Sequence, residues 1–402
     1  MKIAVLGAGI SGTTTAYALT DKGHEVTLID RERYAGMDTS FANGGQLSAC
    51  NAETWHHPST ILKGMKWLFK KDAPLKLSLT PSWHKYSWFA EFLYAMRHYE
   101  ANTIHTTQLA IAAREHLTRM AEEGGVEFDR VNKGMMHICG TQKGYEHGLK
   151  VNELLRKGGL ARRAITPAEI KELEPTIHGD FVGGFFTESD FNGDIHKYCR
   201  GLAAACEKRG VQTLFGRSVV DLVNRNGIYV TFEDGDQVHF DAVVVCSGVG
   251  SRALAAKLGD RINIYPVKGY SITVNLNEAS QAAAPWVSLN DDDAKIVTSR
   301  LGKDRYRVAG TAEFAGYNKD IRADRIKPLV EWTEKFFPGI NTDQVVPWAG
   351  LRPMMPDMMP RVGPGKRPGV FYNTGHGHLG WTLSAATAQM LAASVREGVG
   401  LS

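Results

Sequence analysis

The first residues that could form a ligand site are three glycines near the start of the chain, in the run GAGISG. In a G-x-G-x-x-G turn between a strand and a helix, Gly7 would allow the tight turn, Gly9 would let the backbone approach a pyrophosphate, and Gly12 would let the helix pack on the strand. The predicted helix begins at Ser11, next to Ile10, and the free N–H groups of its first turn would face the phosphates. This arrangement predicts binding of an adenine dinucleotide rather than a glycine-rich turn without a ligand.

An acidic residue follows at the distance that such a site requires. Asp30 ends the second predicted strand, 18 residues after Gly12, and suits the hydroxyl pair of a ribose. Arg31 could contact the adenosine or mimic a 2′-phosphate site. Because Asp30 would repel that phosphate, NADP is disfavoured. The glycine fingerprint alone does not separate FAD from NAD.

The elements that must position these residues form a βαβ unit at the start of the chain. Residues 3–6 and 26–30 are short apolar strands, and residues 11–22 have the pattern of a helix. Residues 242–246 are continuously apolar, as in a strand buried on both faces, and end in Ser247-Gly248. A closing strand, GVFYNTG, leads into a helix over about 381–396.

The intervening segments have the texture of an α+β domain. They include a long helix over 103–123, a meander over 217–240, strands at 268–274, 295–299 and 305–310, and a helix over 324–337. We therefore expect a discontinuous nucleotide-binding domain with a second domain, built on a mainly antiparallel sheet, inserted into it twice. The predicted division is 1–48, 192–262 and 340–402 for the nucleotide-binding domain, and 49–191 and 263–339 for the substrate-binding domain.

Composition limits the other classes of function. The chain has 402 residues, enough for two or three domains, and its Lys+Arg count of 47 exceeds the Asp+Glu count of 43 too weakly to indicate nucleic acid. Five cysteines without a C-x-x-C pair, and a start that enters a strand directly, predict a reduced cytoplasmic chain. No cluster has metal-ligand spacing, no Ser/His/Asp constellation can be assembled, and no apolar run approaches membrane-spanning length.

Four further segments carry a family resemblance. Residues 39–48 (TSFANGGQLS), 267–271 (VKGYS), 348–357 (WAGLRPMMPD) and 373–382 (NTGHGHLGWT) resemble, in order and spacing, segments of the D-amino acid oxidase/glycine oxidase superfamily. The resemblance runs nearly end to end and is closest to the bacterial D-amino acid dehydrogenases. It implies an α/β plus α+β chain, with a Rossmann-like FAD-binding domain of the glutathione-reductase type.

The resemblance also implies which residues hold FAD, with the flavin ring between the two domains. At the start of the last helix there is an independent physical reason, because free N–H groups and the helix dipole would stabilise negative charge around N1 and O2 of reduced flavin. The implied contacts are Ser40, Asn43, Gly45, Gln46 and Leu47 for the ribityl and flavin portion, Ser247 and Gly248 near the pyrophosphate, Val219 as a further contact, and Gly377, His378, Leu379, Gly380, Trp381 and Thr382 near the pyrimidine end.

The resemblance places Arg352 over the flavin as the ligand of the substrate carboxylate. A guanidinium can make two parallel charge-assisted hydrogen bonds to a carboxylate and so fix the α-carbon. The alternative is a structural arginine paired with Asp357. Tyr270 and Tyr317 could hydrogen-bond the carboxylate or the amine, or could be half-buried strand aromatics. His378, with its neighbour His376, could tune the flavin charge.

These residues predict FAD-dependent oxidative deamination of a small D-amino acid, with hydride transfer from Cα to flavin N5 and formation of a 2-oxo acid and ammonia. Electrons would pass to a quinone or another acceptor. Three alternatives stay open: an oxidase of glycine, sarcosine or a cyclic imino acid that produces peroxide, an NAD-linked dehydrogenase, and a flavin-binding subunit without catalysis.

Residues 61–71 (ILKGMKWLFKK) have an amphipathic pattern, with apolar residues on one face and lysines on another. A basic and aromatic amphipathic helix is typical of an interfacial membrane helix, and equally of a surface helix packed on its own core. The resemblance favours peripheral contact with the inner face of the cell membrane.

Overall fold

The computed structural model describes residues 1–57, 75–77 and 80–397, so the predicted helix 61–71 lies outside the described residues. The described helices are α1 (Ile10–Asp21), α2 (Trp83–Ala95), α3 (Tyr99–Gly124), α4 (Gln142–Lys157), α5 (Pro167–Leu173), α6 (Ile195–Lys208), α7 (Ser251–Lys257), α8 (Glu278–Ala283), α9 (Ala323–Phe336) and α10 (Gly380–Glu397). The described strands are β1 (Lys2–Leu6), β2 (Glu25–Asp30), β3 (Gln46–Leu47), β4 (Leu75–Leu77), β5 (Met135–Cys139), β6 (Arg163–Ile165), β7 (Gly183–Thr187), β8 (Phe191–Asn192), β9 (Gln212–Phe215), β10 (Val219–Asn224), β11 (Ile228–Phe232), β12 (Gln237–Phe240), β13 (Ala242–Val245), β14 (Tyr265–Asn275), β15 (Ser288–Asp291), β16 (Ile296–Leu301), β17 (Arg305–Phe314), β18 (Val345–Met354), β19 (Arg361–Pro364) and β20 (Val370–Thr374).

The first of two large sheets has six strands in the order β19-β20-β13-β1-β2-β9. All its pairs are parallel except β19–β20 at one edge. Ile3 and Val5 face a core shared with α1, α6 and α10, while Ala4 and Leu6 face a second core under the antiparallel meander β10–β12. Because successive strand residues point to opposite faces, burial on both sides explains the continuously apolar strands.

The second large sheet has nine strands, in the order β18-β14-β17-β16-β15-β5-β7-β6, with β4 added beside β17. Most of its pairs are antiparallel, and only β15–β5 and β17–β4 are parallel. Helix α9 covers one face through Leu329, Trp332 and Phe336. The predicted fold class, a Rossmann-like domain combined with a mainly antiparallel domain, is confirmed.

Two segments, β18 and α3, pack with a different sheet from the one that the predicted domain division gives them. Strand β18, expected within the nucleotide-binding part that starts at residue 340, pairs with β14 along its length and belongs to the nine-stranded sheet. Helix α3, expected in the substrate-binding part, inserts Leu117 and Met120 into the core beneath β1. After β18 the chain returns to the six-stranded sheet, and a backbone bridge between Met354 and His376 ties the two sheets together.

None of the described helices is long and apolar enough to cross a membrane. All five cysteines are free and buried.

Candidate active site

The predicted glycine fingerprint forms a tight turn between β1 and α1. Gly7 has a φ of +105°, and a Cβ there would lie 2.7 Å from the carbonyl oxygen of Cys246. A Cβ on Gly12 would overlap the carbonyl oxygen of Gly7, so this glycine lets the helix approach the strand. The N–H of Ile10 donates to Ser40 Oγ at 3.1 Å, which fixes the start of α1.

Asp30 stands beside this turn at the end of β2. Its carboxylate accepts hydrogen bonds from the backbone N–H groups of Ala8 and Glu32. Burial raises the pKa of Asp30, which outweighs these hydrogen bonds. Within the part of the chain that the structure describes, Asp30 forms no ion pair, whereas Arg31 pairs with Asp38 at 2.9 Å. A neutral diol is therefore a suitable partner for Asp30.

A cavity of about 910 Å³ runs from this turn to the nine-stranded sheet. Of the residues predicted to bind the cofactor, only Gly12, Leu47 and Leu379 do not border it. Gly12 acts through packing, as described above, and the two leucines are buried in the core. The predicted residues that border the cavity are Gly7, Gly9, Ile10, Ser11, Asp30, Arg31, Ser40, Asn43, Gly45, Gln46, Val219, Ser247, Gly248, Gly377, His378, Gly380, Trp381 and Thr382.

The loop 40–48 crosses the face of the nine-stranded sheet opposite to α9. The hydroxyl groups of Ser271 and Ser299 donate to the carbonyls of Ala42 and Gly44, each at 2.7 Å. Arg307, a buried residue that the sequence patterns did not single out, donates through Nη1 to the carbonyl of Asn43 at 2.8 Å. Burial lowers the pKa of Arg307 to about 10. The sheet therefore fixes the main chain of the predicted flavin loop.

The turn before α10 approaches the same loop, because the N–H of Ser48 donates to Thr382 Oγ1 at 3.2 Å. His376 is buried, with Nε2 2.9 Å from Thr387 Oγ1 and Nδ1 3.3 Å from Ser11 Oγ. Desolvation lowers the pKa of His376 to about 4, so the imidazole is neutral at pH 7.

His378 borders the cavity at the first turn of this connection. Its ring stacks on Trp55 with the centroids 4.8 Å apart, and Nε2 lies 3.3 Å from the carbonyl oxygen of Asn51. Burial, and then the charge of Arg352, lowers the pKa of His378 to about 4. A neutral His378 can therefore supply hydrogen bonding but no positive charge at neutral pH.

Arg352 lies on β18 and extends over the neighbouring strand β14. A Cβ on Gly269 would come within 2.5 Å of Arg352 Cζ, so the guanidinium occupies the space that a side chain at Gly269 would fill. Its Nη1 donates to the carbonyl of Thr311 at 2.9 Å, and desolvation lowers the pKa of Arg352 to about 10. Among the described residues no carboxylate forms an ion pair with Arg352, Asp357 included. A half-buried cation without a counterion among the described residues favours an anionic ligand.

The two predicted tyrosines occupy different places. Tyr270 borders the cavity, but its hydroxyl points to the other face of the sheet, where it donates to Glu313 Oε2 at 2.8 Å. Gly269 and Tyr270 are adjacent in β14, so the Tyr270 side chain points to the face opposite to the one on which Arg352 covers Gly269. The structure thus separates the Tyr270 hydroxyl from Arg352. Tyr317 borders the cavity with 53% of its surface exposed.

Asn290 and Thr311 border the cavity and were not found by sequence reasoning. Asn290 Nδ2 lies 2.9 Å from His137 Nε2, and His137 Nδ1 lies 3.0 Å from Asp292. Asn290 Oδ1 and Thr311 Oγ1 are buried and have no hydrogen-bond partner among the described residues. Neither residue belongs to a recognisable motif, so only the folded structure shows that both border this cavity.

A family model described as FAD dependent oxidoreductase matches residues 2–394. D-amino acid dehydrogenase 3 of Mesorhizobium japonicum is 60% identical over 398 residues, which cover 98% of this chain and 97% of that protein. A D-amino acid dehydrogenase of Paramagnetospirillum magneticum is 38% identical over 404 residues, covering 98% and 94%.

Solved structures show the same fold. Glycine oxidase from Geobacillus kaustophilus superposes with a TM-score of 0.78 at 20% identity, covering 98% of this chain and 94% of that one. L-proline dehydrogenase from P. horikoshii gives a TM-score of 0.78 at 17% identity, covering 99% and 93%.

The residues that border the cavity fit FAD. The turn at Gly7 and Gly9 leaves room for a pyrophosphate, since the nearest atom to a Cβ on Gly9 would be Ser40 Oγ at 3.4 Å. Asp30 provides a carboxylate for ribose hydroxyls. Asn290 Oδ1 is an unpartnered acceptor, and the N–H groups at the start of α10 suit electron-rich oxygen or nitrogen atoms.

Proposed function

Because the chain belongs to the FAD-dependent oxidoreductase family, we propose that it catalyses the oxidative deamination of small D-amino acids to 2-oxo acids and ammonia. One observation carries the proposal. The cavity that begins at the dinucleotide turn ends at Arg352, a guanidinium whose only hydrogen bond to a described residue is the one to Thr311. Two relatives, at 60% and 38% identity, are named D-amino acid dehydrogenases.

The side chains of this site act by binding and orientation. Arg352 would hold the substrate carboxylate through charge-assisted hydrogen bonds and so present the α-carbon in one orientation. FAD, when bound, supplies the acceptor for the hydride that leaves the α-carbon. The start of α10 would stabilise the negative charge that develops at the cofactor, whereas the neutral His378 would add hydrogen bonding but no positive charge.

The most informative test is anaerobic mixing of the purified protein with matched D- and L-amino acids while the flavin absorbance is recorded. We expect the D-amino acids with small side chains to bleach the yellow colour and to release the corresponding 2-oxo acid. Bleaching by L-amino acids alone, or by none of the panel, would overturn the proposal.

We also propose that the electrons leave to a quinone or another carrier rather than to dioxygen. The dehydrogenase names of the relatives support this. Turnover should then require an added quinone or dye, with little peroxide formed in air. Stoichiometric peroxide without a dye would identify an oxidase instead.

We further propose that the protein makes peripheral contact with a membrane. The amphipathic pattern of 61–71 supports it, as does the outer face of α2, where Trp83 is 83% exposed and Tyr94 is 65% exposed. The protein should float with anionic liposomes, and the double substitution Trp83→Ser and Tyr94→Ser should weaken flotation. The substitution Val220→Ser on the meander is the matched control. Indifference of the unaltered protein to lipid would refute the proposal.

A further inference from the structure

Thr311 has a backbone conformation that is rare for its residue type. It lies inside β17 with a φ of +62°. A β-branched side chain in this left-handed region is strained, because Cβ crowds the adjacent carbonyl. Strain of this kind persists only where the surrounding structure imposes it, and it is concentrated at binding and active sites.

The strain coincides with a bulge in the pairing of β17 with β14. Lys268 pairs with Glu313 and Tyr270 with Gly310, so two residues of β17, Thr311 and Ala312, lie opposite the single residue Gly269. A bulge re-aims the main chain of the longer strand. Here the carbonyl of Thr311 meets Arg352 Nη1 at 2.9 Å.

The side chain of Thr311 is also unusual. Thr311 is 7% exposed and borders the cavity, and its Oγ1 has no hydrogen-bond partner among the described residues. Buried hydroxyl groups in proteins are nearly always hydrogen-bonded, because an unsatisfied one loses its solvation without compensation. The bulge thus places an unpartnered donor in the residue whose carbonyl already contacts the guanidinium.

We propose that Thr311 is a second recognition group for the substrate carboxylate. Its carbonyl holds the Arg352 guanidinium in position, and its hydroxyl donates to a carboxylate oxygen bound by Arg352. This inference rests on the proposed function and adds a specificity-determining residue to it. A carboxylate bound at this place would account both for the strained backbone of Thr311 and for its unpartnered hydroxyl.

The test compares three variants of the FAD-loaded protein. Thr311→Val keeps the side-chain shape and removes the hydroxyl, Thr311→Ser keeps the hydroxyl, and Thr311→Gly removes it while adopting a positive φ without strain. Thr231→Val in the meander controls for the exchange itself. Flavin content and Tm identify any variant that does not fold, and Thr311→Gly keeps the test valid if Thr311→Val fails.

Binding is read from the change in flavin absorbance on titration with propionate, and from inhibition by propylamine, which lacks a carboxylate. We expect Thr311→Val and Thr311→Gly to raise the Kd for propionate about 10- to 100-fold, as for loss of a hydrogen bond to a charged group. Thr311→Ser should stay within about threefold of the unaltered protein, and propylamine inhibition should not change. With a turned-over D-amino acid, KM should rise more than kcat falls.

An unchanged Kd for propionate in both Thr311→Val and Thr311→Gly would overturn the inference, as would equal loss in Thr311→Ser. An equal effect on propylamine would show that the hydroxyl serves the amine or the flavin, which also refutes it. Since propionate binding requires no turnover, this result is independent of the amino acid panel that tests the proposed function.

Discussion

The guanidinium of Arg352 lies directly against the main chain of Gly269 on the neighbouring strand, where a methyl group would be 2.5 Å from Arg352 Cζ. The backbone of Gly269 has ordinary strand geometry and would accept other residues. Glycine is required there because any side chain would collide with the Arg352 guanidinium. The absence of a Cβ at Gly269 is what allows a long cationic side chain to lie flat along the cavity wall.

The substitution Gly269→Ala should displace Arg352 without emptying the cofactor site. We expect kcat/KM for D-amino acids to fall by at least about 100-fold, because a shift of about 1 Å in a positioning group is enough for such a loss. Steady-state kinetics and the flavin spectrum measure this. Gly140→Ala is the control, since a Cβ there meets no atom within 4 Å. Normal kinetics in Gly269→Ala would mean that the guanidinium is not needed where it lies.

Replacement of Arg352 itself separates charge from geometry. Arg352→Met should lower kcat/KM on α-carboxylates by at least about 100-fold while FAD stays bound, and Arg352→Lys should recover only part of the loss, because an ammonium lacks the planar fork. Arg156→Met, at an exposed position on α4, is the matched control. Full activity in Arg352→Met would remove the residue from the proposed site.

Tyr270 provides a contrasting case within the same strand. Its hydroxyl donates to Glu313, which also lies 3.7 Å from the buried Lys268 Nζ. We expect Tyr270→Phe to lower the free energy of unfolding by about 1.5–3 kcal/mol, as for a lost hydrogen bond to a charged group, and to leave KM and kcat within about twofold. Denaturant unfolding and steady-state assays decide this, and a large rise in KM at unchanged stability would place the hydroxyl in the substrate site instead.

The buried histidine His376 should make stability depend on pH. Its pKa in the folded protein is about 4, below the 6.5 of an exposed imidazole, so between these values the unfolded state binds a proton that the folded state does not. Stability is therefore complete above about pH 6.5 and is lost as the pH falls towards 4, by up to about 1.4 kcal/mol per pH unit for this residue. Denaturant unfolding from pH 7.5 to 4.5 should show a shallower loss in His376→Gln, and identical profiles would contradict the prediction.

The two helix-proximal glycines of the fingerprint should fail in different ways. Gly9→Ala should fold and lose FAD affinity, because a Cβ there borders the cavity and meets only Ser40 Oγ, at 3.4 Å. Gly12→Ala should lower the yield of folded protein and its Tm, because its Cβ would overlap the carbonyl of Gly7. Flavin content and thermal unfolding distinguish the two, and a fully yellow, stable Gly12→Ala protein would refute the packing argument.

Regular elements with a strong apolar pattern were predicted closely from sequence. The helix expected over 11–22 is Ile10–Asp21, and that expected over 324–337 is Ala323–Phe336. Strand β18 was missed as an element, because the glycine and prolines in 347–356 hide a strand pattern, although the same segment carried one of the two most specific parts of the resemblance. Motifs therefore located Arg352, while only the sheet pairing showed which strand supports it.

Side-chain direction was the part that sequence could not supply. Tyr270 and Gly269 are adjacent, and which of them faces the cavity depends on the register of β14 between β17 and β18. The bulge at Thr311 arises from that register too, and no residue pattern in RYRVAGTAEF announces it. Long-range pairing, rather than local preference, decides both positions.

The backbone bridge between Met354 and His376 connects β18, the strand that carries Arg352, to the turn that leads into α10. Because this link is made by main-chain groups, exchange of side chains leaves its spacing largely intact. The main-chain spacing between β18 and the turn before α10 is thus set by the scaffold. Altered preference for one amino acid over another should therefore arise from residues that shape the remaining wall, such as Trp55 and Trp348, with the anchor point conserved in any successful redesign.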